Sequence, residues 1–475
     1  ACSGGGTTGG ASGGGDASGE PIIVGTTDKV TTLDPAGSYD NGSLAVQTQV
    51  FPYLVNTDYN STEVVPDLAE SAEFTAPNEY TVTLPAGLKW ANGNDLTSSD
   101  VKFSFERNIK IADPNGASSL LYNLDSVETP DDTTVVFKLK TDNDQVFPFI
   151  LTSFPGAIVD EEVFSADAVT PDQDIVDADA FGGPYKITSW DFNKSVEFTP
   201  NENYKGLLDA PVNGGVILSY FAESSNLKLA VQQGDVDVAY RSLSATDVED
   251  LKGNDAVKVV DGPGGEIRYI VFNFDTQPYG ATTSEADTAK ALAVRQAVAD
   301  LVDREAISEQ VYKGTYTPLY SYVPEGFTGA TDVLKGLYGD GNGGPDAAKA
   351  KATLEAAGVA TPVTLSLQYS PDHYGPSSGD EYALVKSQLE ADGLFEVDLK
   401  STEWVQYSKD RTSDVYPAYQ LGWFPDYSDA DNYLTPFFLK ENFLGNHYDN
   451  PTVNDLILKQ ATEPAASTRQ AAIQQ

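Results

Sequence analysis

The chain has 475 residues, of which 40% are hydrophobic and 21% charged, a globular composition long enough for two or three domains. Its 29 basic and 71 acidic residues give a formal net charge of −42. This excess argues against a nucleic acid or an anionic lipid surface as the direct partner, because both attract Lys and Arg. The charge fits either a solubility coat or long-range attraction of cationic ligands.

Cysteine and histidine are scarce, which limits redox and metal chemistry. Cys2 is the one cysteine, so an intrachain disulfide and a cysteine-based metal site are both excluded. His373 and His447 are the two imidazoles, and methionine is absent. We therefore expect no cofactor and no soft-metal site made by protein side chains. No stretch approaches the roughly 20 continuous apolar residues of a membrane-spanning helix.

Residues 1–20 are rich in Gly, Ser and Thr and predict a flexible tether that buries no core. Cys2 lies at its start, directly after Ala1. This arrangement resembles the processing site of a bacterial lipoprotein, in which the signal peptide is cut before a cysteine that then carries the lipid. The alternative is an accidental cysteine in a linker. The resemblance implies a folded part anchored by lipid to the outer face of the cytoplasmic membrane.

The first half of the chain predicts many short strands and a capped helix. Folded sequence begins with a strand near Pro21, and the next apolar segment, 41–55, has only partly helical spacing. Ser98 or Ser99 is expected to cap a helix. Further strands are predicted at 79–84, 126–129 and 134–139. This pattern indicates a mixed α+β unit.

From Ile267 onward, apolar strands alternate with helices, which is typical of a mostly parallel sheet covered by helices on both faces. The predicted strands are 269–274, 363–368, 395–401 and 417–424, and the predicted helices are 290–302, 347–357 and 381–391. The fold class predicted for the chain is therefore α/β with an inserted α+β subdomain.

The last of these strands leads into the strongest candidate site. The apolar run 416–424 ends at Pro425, and the carboxylates Asp426, Asp429 and Asp431 follow. Ligands of open α/β sheets bind beyond the carboxyl ends of the strands, so Asp426 is placed to pair with a ligand ammonium. The alternative is an Asp-rich turn that only ends the strand.

Catalytic motifs are not found, and we expect no enzyme. His373 and His447 lie in loop-like segments without a Ser/His/Asp arrangement, and the Gly-rich stretch 341–344 lacks the Lys-Ser/Thr of a phosphate-binding loop. Carboxylates are too abundant to indicate a glycosidase pair. Trp404 and Trp423 are candidates for stacking on a sugar ring or on a ligand side chain.

Several motifs occur together in a fixed order. They are Pro66-Asp67-Leu68-Ala69-Glu70-Ser71, Leu88-Lys89-Trp90 with Asn92-Gly93, Leu96-Thr97 with Asp100-Val101-Lys102-Phe103, Gly182-Gly183-Pro184-Tyr185, Gly234-Asp235-Val236-Asp237, and Gly422-Trp423 with Asp426. This set resembles the extracellular solute-binding proteins of peptide and nickel ABC importers, the oligopeptide/dipeptide-binding family (family 5). Ser98 replaces the family's Ala. The similarity extends from about Pro21 to the end of the chain.

The resemblance implies a type II periplasmic-binding-protein-like fold, with two lobes that close on ligand about a hinge. It implies a lobe I core of 21–51 and 176–272, an extra subdomain of 52–175 inserted in lobe I, and a lobe II of 273–475. Relatives continue past their last long helix and return to lobe I, so we expect that C-terminal return to be missing from this chain.

The resemblance also implies a ligand cleft. Asp426 stands where the family's peptide binders pair the ligand's α-amino group, and Arg411 resembles a cleft arginine that meets the carboxyl end. A solvated helix-end charge is the alternative for Arg411. The other implied candidates are the backbone of Gly422, Trp423 and Phe424 for an extended ligand, the lobe I residues Tyr39, Asp40 and Asn41, and Gln420, where some relatives carry a second arginine.

These expectations combine into a monomeric, lipid-anchored receptor that captures oligopeptides and delivers them to the permease and ATPase of an ABC importer. On the same fold, an oligosaccharide receptor using Trp404 and Trp423 and a nickel-chelate receptor are alternatives. A surface adhesin or pheromone sensor that acts without an importer is a further alternative. Peptide length and side-chain preference stay open, since pocket shape is not readable from the sequence.

Overall fold

The computed structural model describes residues 19–475, so Cys2 and most of the predicted tether lie outside the described residues. The strands are, in chain order, β1 (Ile22–Thr26), β2 (Val55–Thr57), β3 (Val64–Pro66), β4 (Ser71–Ala76), β5 (Glu79–Thr83), β6 (Leu124–Asp131), β7 (Thr134–Leu139), β8 (Tyr185–Asp191), β9 (Ser195–Pro200), β10 (Val216–Tyr220), β11 (Val238–Ala239), β12 (Ile267–Phe272), β13 (Val363–Tyr369), β14 (Phe395–Ser401) and β15 (Ala418–Trp423).

The helices follow the same order along the chain. They are α1 (Asn41–Val50), α2 (Ser98–Ile111), α3 (Phe147–Ile150), α4 (Asp172–Asp177), α5 (Ser224–Gln233), α6 (Ala245–Lys252), α7 (Thr288–Leu301), α8 (Arg304–Ala306), α9 (Val333–Leu337), α10 (Ala347–Ala356), α11 (Pro371–Tyr374), α12 (Ser377–Glu390), α13 (Trp404–Thr412), α14 (Thr435–Phe438), α15 (Pro451–Thr462) and α16 (Ala466–Gln474). Within residues 19–475, none of them has the length and apolar character needed to span a bilayer.

The first sheet has the strand order β11-β1-β10-β9-β8. β1 runs parallel to β10 and β11, whereas β9 is antiparallel to both β10 and β8. Parallel strands need a long crossover, and the chain between β1 and β10 includes α1, α2 and a second sheet. The core beneath this sheet contains Val46, Val50, Ile187, Val196 and Phe198.

The second sheet, β4-β5-β7-β6, is antiparallel throughout. Buried and less buried residues alternate along β5 and β7, so one face of the sheet is packed and the other is more exposed. α2 contributes to the packed side, whose core contains Trp90, Phe105, Phe137 and Phe147. The strands predicted at 79–84, 126–129 and 134–139 are confirmed.

The cap of α2 differs from the predicted one. Its N-cap is Thr97, whose hydroxyl accepts from the N–H of Ser99 at 3.2 Å, while the Asp100 carboxylate accepts from the N–H of Thr97 at 3.0 Å. This reciprocal arrangement is a capping box. Ser98 is buried, and its hydroxyl donates to the Asp131 carbonyl at 2.5 Å. The prediction that Ser98 or Ser99 caps the helix was therefore wrong. The Ser98 hydroxyl donates to β6 instead of capping α2.

The third sheet has the order β12-β15-β13-β14, with β13 parallel to β14 and β15, and β12 antiparallel to β15. Side chains of α7, α10 and α12 pack in one core with those of β13 and β14. A separate aromatic core brings together side chains from α13, α14 and β15. The predicted alternation of strands and helices after Ile267 is confirmed.

β12 lies at the predicted boundary between the lobes. It pairs with β15 along its length, from Ile267 opposite Trp423 to Phe272 opposite Ala418. The predicted lobe I core, 21–51 and 176–272, therefore extends six residues into the third sheet. The chain changes sheets before Ile267. The lobe boundaries stay predictions.

A buried ion pair braces the loop that follows β1. Arg107 on α2 donates to the two carboxylate oxygens of Asp34 at 2.8 and 2.5 Å, and neither side chain is more than 2% exposed. Asp34 also accepts from the backbone N–H groups of Ala36 at 2.9 Å and Thr170 at 2.7 Å. The carboxylate thus holds one short loop against α2 and against a second loop.

We predict that Arg107→Met destabilises the protein by about 3–5 kcal/mol, because it leaves the Asp34 carboxylate buried without its counter-ion. Urea unfolding at neutral pH measures the change. The control is Lys110→Met on the same helix, since Lys110 pairs with Asp167 at a site where both side chains are more than 60% exposed. That change is expected to cost at most about 1 kcal/mol. Equal losses in the two variants would contradict the prediction.

Candidate ligand-binding site

Asp426 follows β15 and meets a residue from the first half of the chain. Its Oδ1 atom accepts from the Tyr39 hydroxyl at 2.6 Å, and its Oδ2 atom accepts from Asn432 Nδ2 at 3.0 Å. The Asp426 N–H donates to Asn432 Oδ1 at 2.7 Å. Burial raises the pKa of Asp426, although the hydrogen bonds from Tyr39 and Asn432 oppose that shift. The carboxylate is therefore held by neutral donors.

Tyr39 reaches Asp426 from the loop that Asp34 braces. Its ring stacks on Phe154, with ring centroids 4.7 Å apart, which fixes the direction of the hydroxyl. Partial burial and the neighbouring Asp426 carboxylate raise the pKa of Tyr39 well above its ordinary value. Tyr39 therefore keeps its proton and donates it. The predicted candidates Tyr39 and Asp426 are brought into direct contact.

Asp40 and Asn41, the other two candidates in this loop, occupy the start of α1. Asp40 is the N-cap, and its carboxylate accepts from the N–H of Ser43 at 2.9 Å and from the Thr31 hydroxyl at 2.7 Å. Asn41 is the first residue of the helix and is partly exposed. Asp40 thus caps α1, and aspartate is a preferred residue at this helix position.

Gly422 lies where β15 passes two large side chains. A Cβ atom at this position would lie 2.8 Å from Arg268 Cδ and 2.9 Å from Tyr374 Cε1, so a larger residue would have to push these side chains aside. The Gly422 N–H donates to the Tyr374 hydroxyl at 2.9 Å. The guanidinium of Arg268 lies over the Tyr374 ring at 4.5 Å and pairs with Glu266. A ligand main chain that paired with Gly422 would displace the Tyr374 hydroxyl.

Sequence reasoning missed Arg268 and Tyr374. Arg268 is the one charged residue in β12, IRYIVF, which is otherwise uncharged. A charge within such a strand is a usable signal, because charged residues are seldom buried without a partner. Tyr374 had no comparable signal, since its contact with Gly422 joins positions 48 residues apart.

Phe424 makes a second contact between the third sheet and the first. Its side chain is 39% exposed, and the guanidinium of Arg241 lies 4.7 Å from its ring centroid. Arg241 follows β11 in the first sheet and has a left-handed backbone, with φ of 58°. Asp28 lies 3.7 Å from the same guanidinium. Phe424 and Asp426 therefore both face residues attached to the first sheet.

The two candidate tryptophans are engaged inside the second half of the chain. Trp423 packs against Phe437 and Phe443, at centroid distances of 5.1 and 5.4 Å, and its Nε1 donates to Asn432 Oδ1 at 3.1 Å. One face of Trp404 is covered by His373, whose ring is 3.6 Å away and nearly parallel. Neither tryptophan presents two free faces for stacking.

Gln420 and Arg411 are both buried. Gln420 is fully buried, accepts from the N–H of Ser370 at 3.1 Å and donates to the Ser378 hydroxyl at 3.1 Å, so its amide ties β15 to neighbouring elements. Arg411 is 8% exposed, lies over the Phe443 ring at 5.0 Å and donates to the Leu444 carbonyl at 3.5 Å. Within the described residues, no carboxylate lies within 4.0 Å of Arg411.

Asp429 and Asp431, which follow Asp426, are hydrogen-bonded within the second half of the chain. Arg469 on α16 donates to the two oxygens of Asp429 at 2.9 and 2.7 Å in a buried pair. Asp431 accepts from Gln460 at 2.6 Å and from the Thr435 hydroxyl at 2.8 Å, and burial raises its pKa to about 6. Of these three aspartates, Asp426 is the one whose carboxylate accepts a hydrogen bond from the first half of the chain, among the described residues.

Residues 63–445 match the family model of bacterial extracellular solute-binding proteins, family 5 (middle region). The chain belongs to this family. A probable D,D-dipeptide-binding periplasmic protein, DdpA, of Escherichia coli strain K12 is 26% identical over 92% of this chain and 81% of its own length. The dipeptide-binding protein DppE of Bacillus subtilis strain 168 is 24% identical over 95% of this chain and 83% of its own length.

Solved structures show the same fold. The ABC transporter substrate-binding protein CtaP of Listeria monocytogenes superposes with a TM-score of 0.78 at 22% identity, covering 96% of this chain and 88% of CtaP. The periplasmic binding protein DppA of Helicobacter pylori, in complex with the peptide STSA, gives 0.72 at 20% identity, covering 96% and 89%. The predicted α/β fold class of the periplasmic-binding-protein type is thereby confirmed.

We predict that Asp426→Asn does not destabilise the ligand-free protein at pH 7. Because burial raises the pKa of Asp426 in the folded state, the folded state binds this proton more tightly than the unfolded state. Stability is therefore lost as the pH rises through the folded pKa, and the neutral amide removes that loss. Urea unfolding measured from pH 4, near the ordinary Asp pKa of about 3.9, to pH 7 should show a flatter pH dependence in the variant.

The matched control for that experiment is Asp429→Asn. It uses the same substitution three residues away but breaks the buried pair with Arg469, so we expect a cost of about 3–5 kcal/mol. If Asp426→Asn lowered stability as much as Asp429→Asn, the Asp426 carboxylate would be a structural group and the prediction would be wrong.

Proposed function

We propose that this protein is a receptor that captures oligopeptides between its two lobes and delivers them to an ABC importer. The observation that supports this proposal is that the partners of the Asp426 carboxylate are uncharged. Its carboxylate accepts from Tyr39 and Asn432, which are neutral, and no Lys, Arg or His nitrogen of residues 19–475 lies within 4.0 Å of it. A ligand ammonium supplies the missing positive charge through a short, charge-assisted hydrogen bond.

Tyr39 makes this arrangement sensitive to ligand. Its hydroxyl occupies one oxygen of Asp426 at 2.6 Å, so an incoming ammonium competes with it or joins it on the free lone pairs. Because Tyr39 is attached to the first sheet and Asp426 to the third, any ligand bound between them is gripped from both lobes. We propose that the lobes open and close by hinge motion to admit and hold it.

Arg411 is the proposed partner of the peptide's carboxyl end. A buried guanidinium without an anion is costly, because its desolvation is not offset by a counter-charge. Arg411 is 8% exposed, and its Nε has no hydrogen-bond partner among the described residues. Phe443 lies over it and also contacts Trp423, so the guanidinium is close to the strand end that leads to Asp426.

The names of relatives support a peptide cargo, since DdpA and DppE are described as dipeptide-binding. We propose that the lipid is carried by Cys2 and that residues 1–20 tether the folded part outside the cytoplasmic membrane. Delivery to permease and ATPase subunits, a monomeric state and the absence of any chemical step belong to the same proposal. Trp404 and Trp423 pack against other aromatic side chains of the protein, so they add no support to the oligosaccharide alternative.

Native mass spectrometry of protein purified without refolding tests the cargo. We expect a ladder of added masses that fragment as peptides, and the spread of that ladder gives the range of peptide lengths. A single discrete addition that fragments as a glycan or a metal chelate would contradict the peptide assignment.

We predict that Asp426→Asn weakens binding of a peptide so identified by about 10- to 100-fold, the worth of a hydrogen bond to a charged group. Titration calorimetry with free and N-acetylated forms of the same peptide measures this. Acetylation should weaken binding to the wild type but add little further loss in the variant. If acetylation cost the same in both proteins, Asp426 would not be the ammonium partner.

We predict that Arg411→Gln weakens the same peptide by a similar 10- to 100-fold, because the carboxyl end loses its cationic partner. The matched pair of ligands is the free peptide and its C-terminal amide. Amidation should weaken binding to the wild type and leave the affinity of the variant nearly unchanged. An equal effect of amidation on both proteins would place the carboxyl end elsewhere.

A further inference from the structure

Three side chains that are distant in the sequence converge at the far end of the third sheet. Asp275 follows β12, Asp414 precedes β15, and His447 precedes α15. His447 Nε2 lies 2.6 Å from Asp414 Oδ1 and 3.4 Å from Asp275 Oδ2. One donor atom from each residue falls within 4.8 Å of the other two. Two carboxylate oxygens and an imidazole nitrogen thus face one small space.

Buried side chains behind this cluster fix its shape. Asn273 is fully buried, and its Nδ2 donates to Asp414 Oδ1 at 2.9 Å, while its Oδ1 accepts from the N–H of Asp275 at 2.9 Å. Asn446 donates its amide to the Phe272 carbonyl at 3.1 Å, which holds the segment before His447 against the sheet. All three members are therefore positioned by the end of β12 and its loop.

The imidazole alone does not balance the two carboxylates. A single Nε2–H points to one acceptor at a time. It pairs with Asp414 Oδ1, which also accepts from Asn273, so Asp275 Oδ2 receives no hydrogen bond from the imidazole. The two carboxylate oxygens lie within 4.8 Å of each other, and like charges this close repel. A divalent cation interacts with both carboxylates and with the neutral imidazole together, and the net charge of −42 raises the local concentration of cations.

We infer that Asp275, Asp414 and His447 form a binding site for one divalent transition metal ion, with zinc as the best fit. Imidazole with carboxylate oxygens suits zinc, whereas calcium takes oxygen ligands alone. Bonds of about 2.1 Å at tetrahedral angles put neighbouring donor atoms about 3.4 Å apart. The His447–Asp275 separation has this value, and the His447–Asp414 contact must open by less than about 1 Å.

The site lies away from the proposed peptide cleft. Asp414 precedes β15 and Asp426 follows it, so the two are at opposite ends of one strand. A bound metal ion would join the loops after β12, before β15 and before α15 without occupying the cleft. The inference therefore stands independently of the peptide proposal, and its expected effect is a metal-dependent gain in stability.

Titration calorimetry of the chelator-treated full chain with zinc chloride, in a phosphate-free buffer, tests the site. We expect one equivalent of zinc to bind saturably and to raise the melting temperature, with calcium chloride binding at least tenfold more weakly. The absence of saturable zinc binding, or several equivalents of equal weak affinity, would overturn the inference.

The variants His447→Asn and Asp414→Asn locate the zinc. Both positions have left-handed backbones, with φ of 66° and 61°, and asparagine tolerates that region, so both variants are expected to fold. Each should weaken zinc binding at least tenfold. The control Asp167→Asn removes the same charge at a 71% exposed position and should leave zinc affinity unchanged. Wild-type affinity in His447→Asn would overturn the assignment.

Discussion

The contact between Tyr39 and Asp426 depends on two buried ion pairs, one on each side of the cleft. Arg107 holds Asp34, five positions before Tyr39, and Arg469 holds Asp429, three positions after Asp426. Each pair is bidentate, so it fixes the direction as well as the position of its loop. Buried pairs of this kind add little net stability, because desolvation offsets their attraction. Their effect here is to fix the positions of the two loops. Tyr39 lies near the first pair and Asp426 near the second, and the two side chains meet.

Asp426 illustrates a conflict between stability and binding. Asp429 and Asp431 come from the same short segment. Asp429 pairs with Arg469, whereas Asp431 has neutral donors such as Gln460, and burial raises its pKa to about 6. Asp426 also has neutral donors and a pKa raised by burial, but it lies against Tyr39 from the first half of the chain. On the proposed function, a ligand ammonium would offset part of its desolvation. A ligand that supplies the cation binds the folded state only, and thereby stabilises it.

Regular periodicity made the third sheet and its helices predictable, because runs such as β13 and α10 have one period and clear ends. The position of Asp426 just beyond the end of a buried strand was also predictable, while its role in binding stays a proposal. The partners of the candidate side chains could not be predicted from the sequence. The roles of Gln420 and Trp423 depend on Ser370, Ser378 and Asn432, and no local pattern reports contacts between distant segments. The assignment of β12 to the third sheet was not predictable for the same reason, because it depends on pairing with β15, about 150 residues later in the chain.

The large negative charge and the candidate site act over different distances. Most of the 71 acidic residues interact with a cationic ligand through water, and salt screens such interactions beyond about 8–10 Å. On the proposed function, Asp426 meets the ligand ammonium in a partly buried position, where screening is much weaker. That contact would persist at salt concentrations that remove the long-range attraction. On that proposal, the surface charge alters how fast a cationic ligand arrives, whereas Asp426 contributes to how long it stays. Solubility alone accounts for the surface charge, but it does not account for a carboxylate placed between two lobes with only neutral partners.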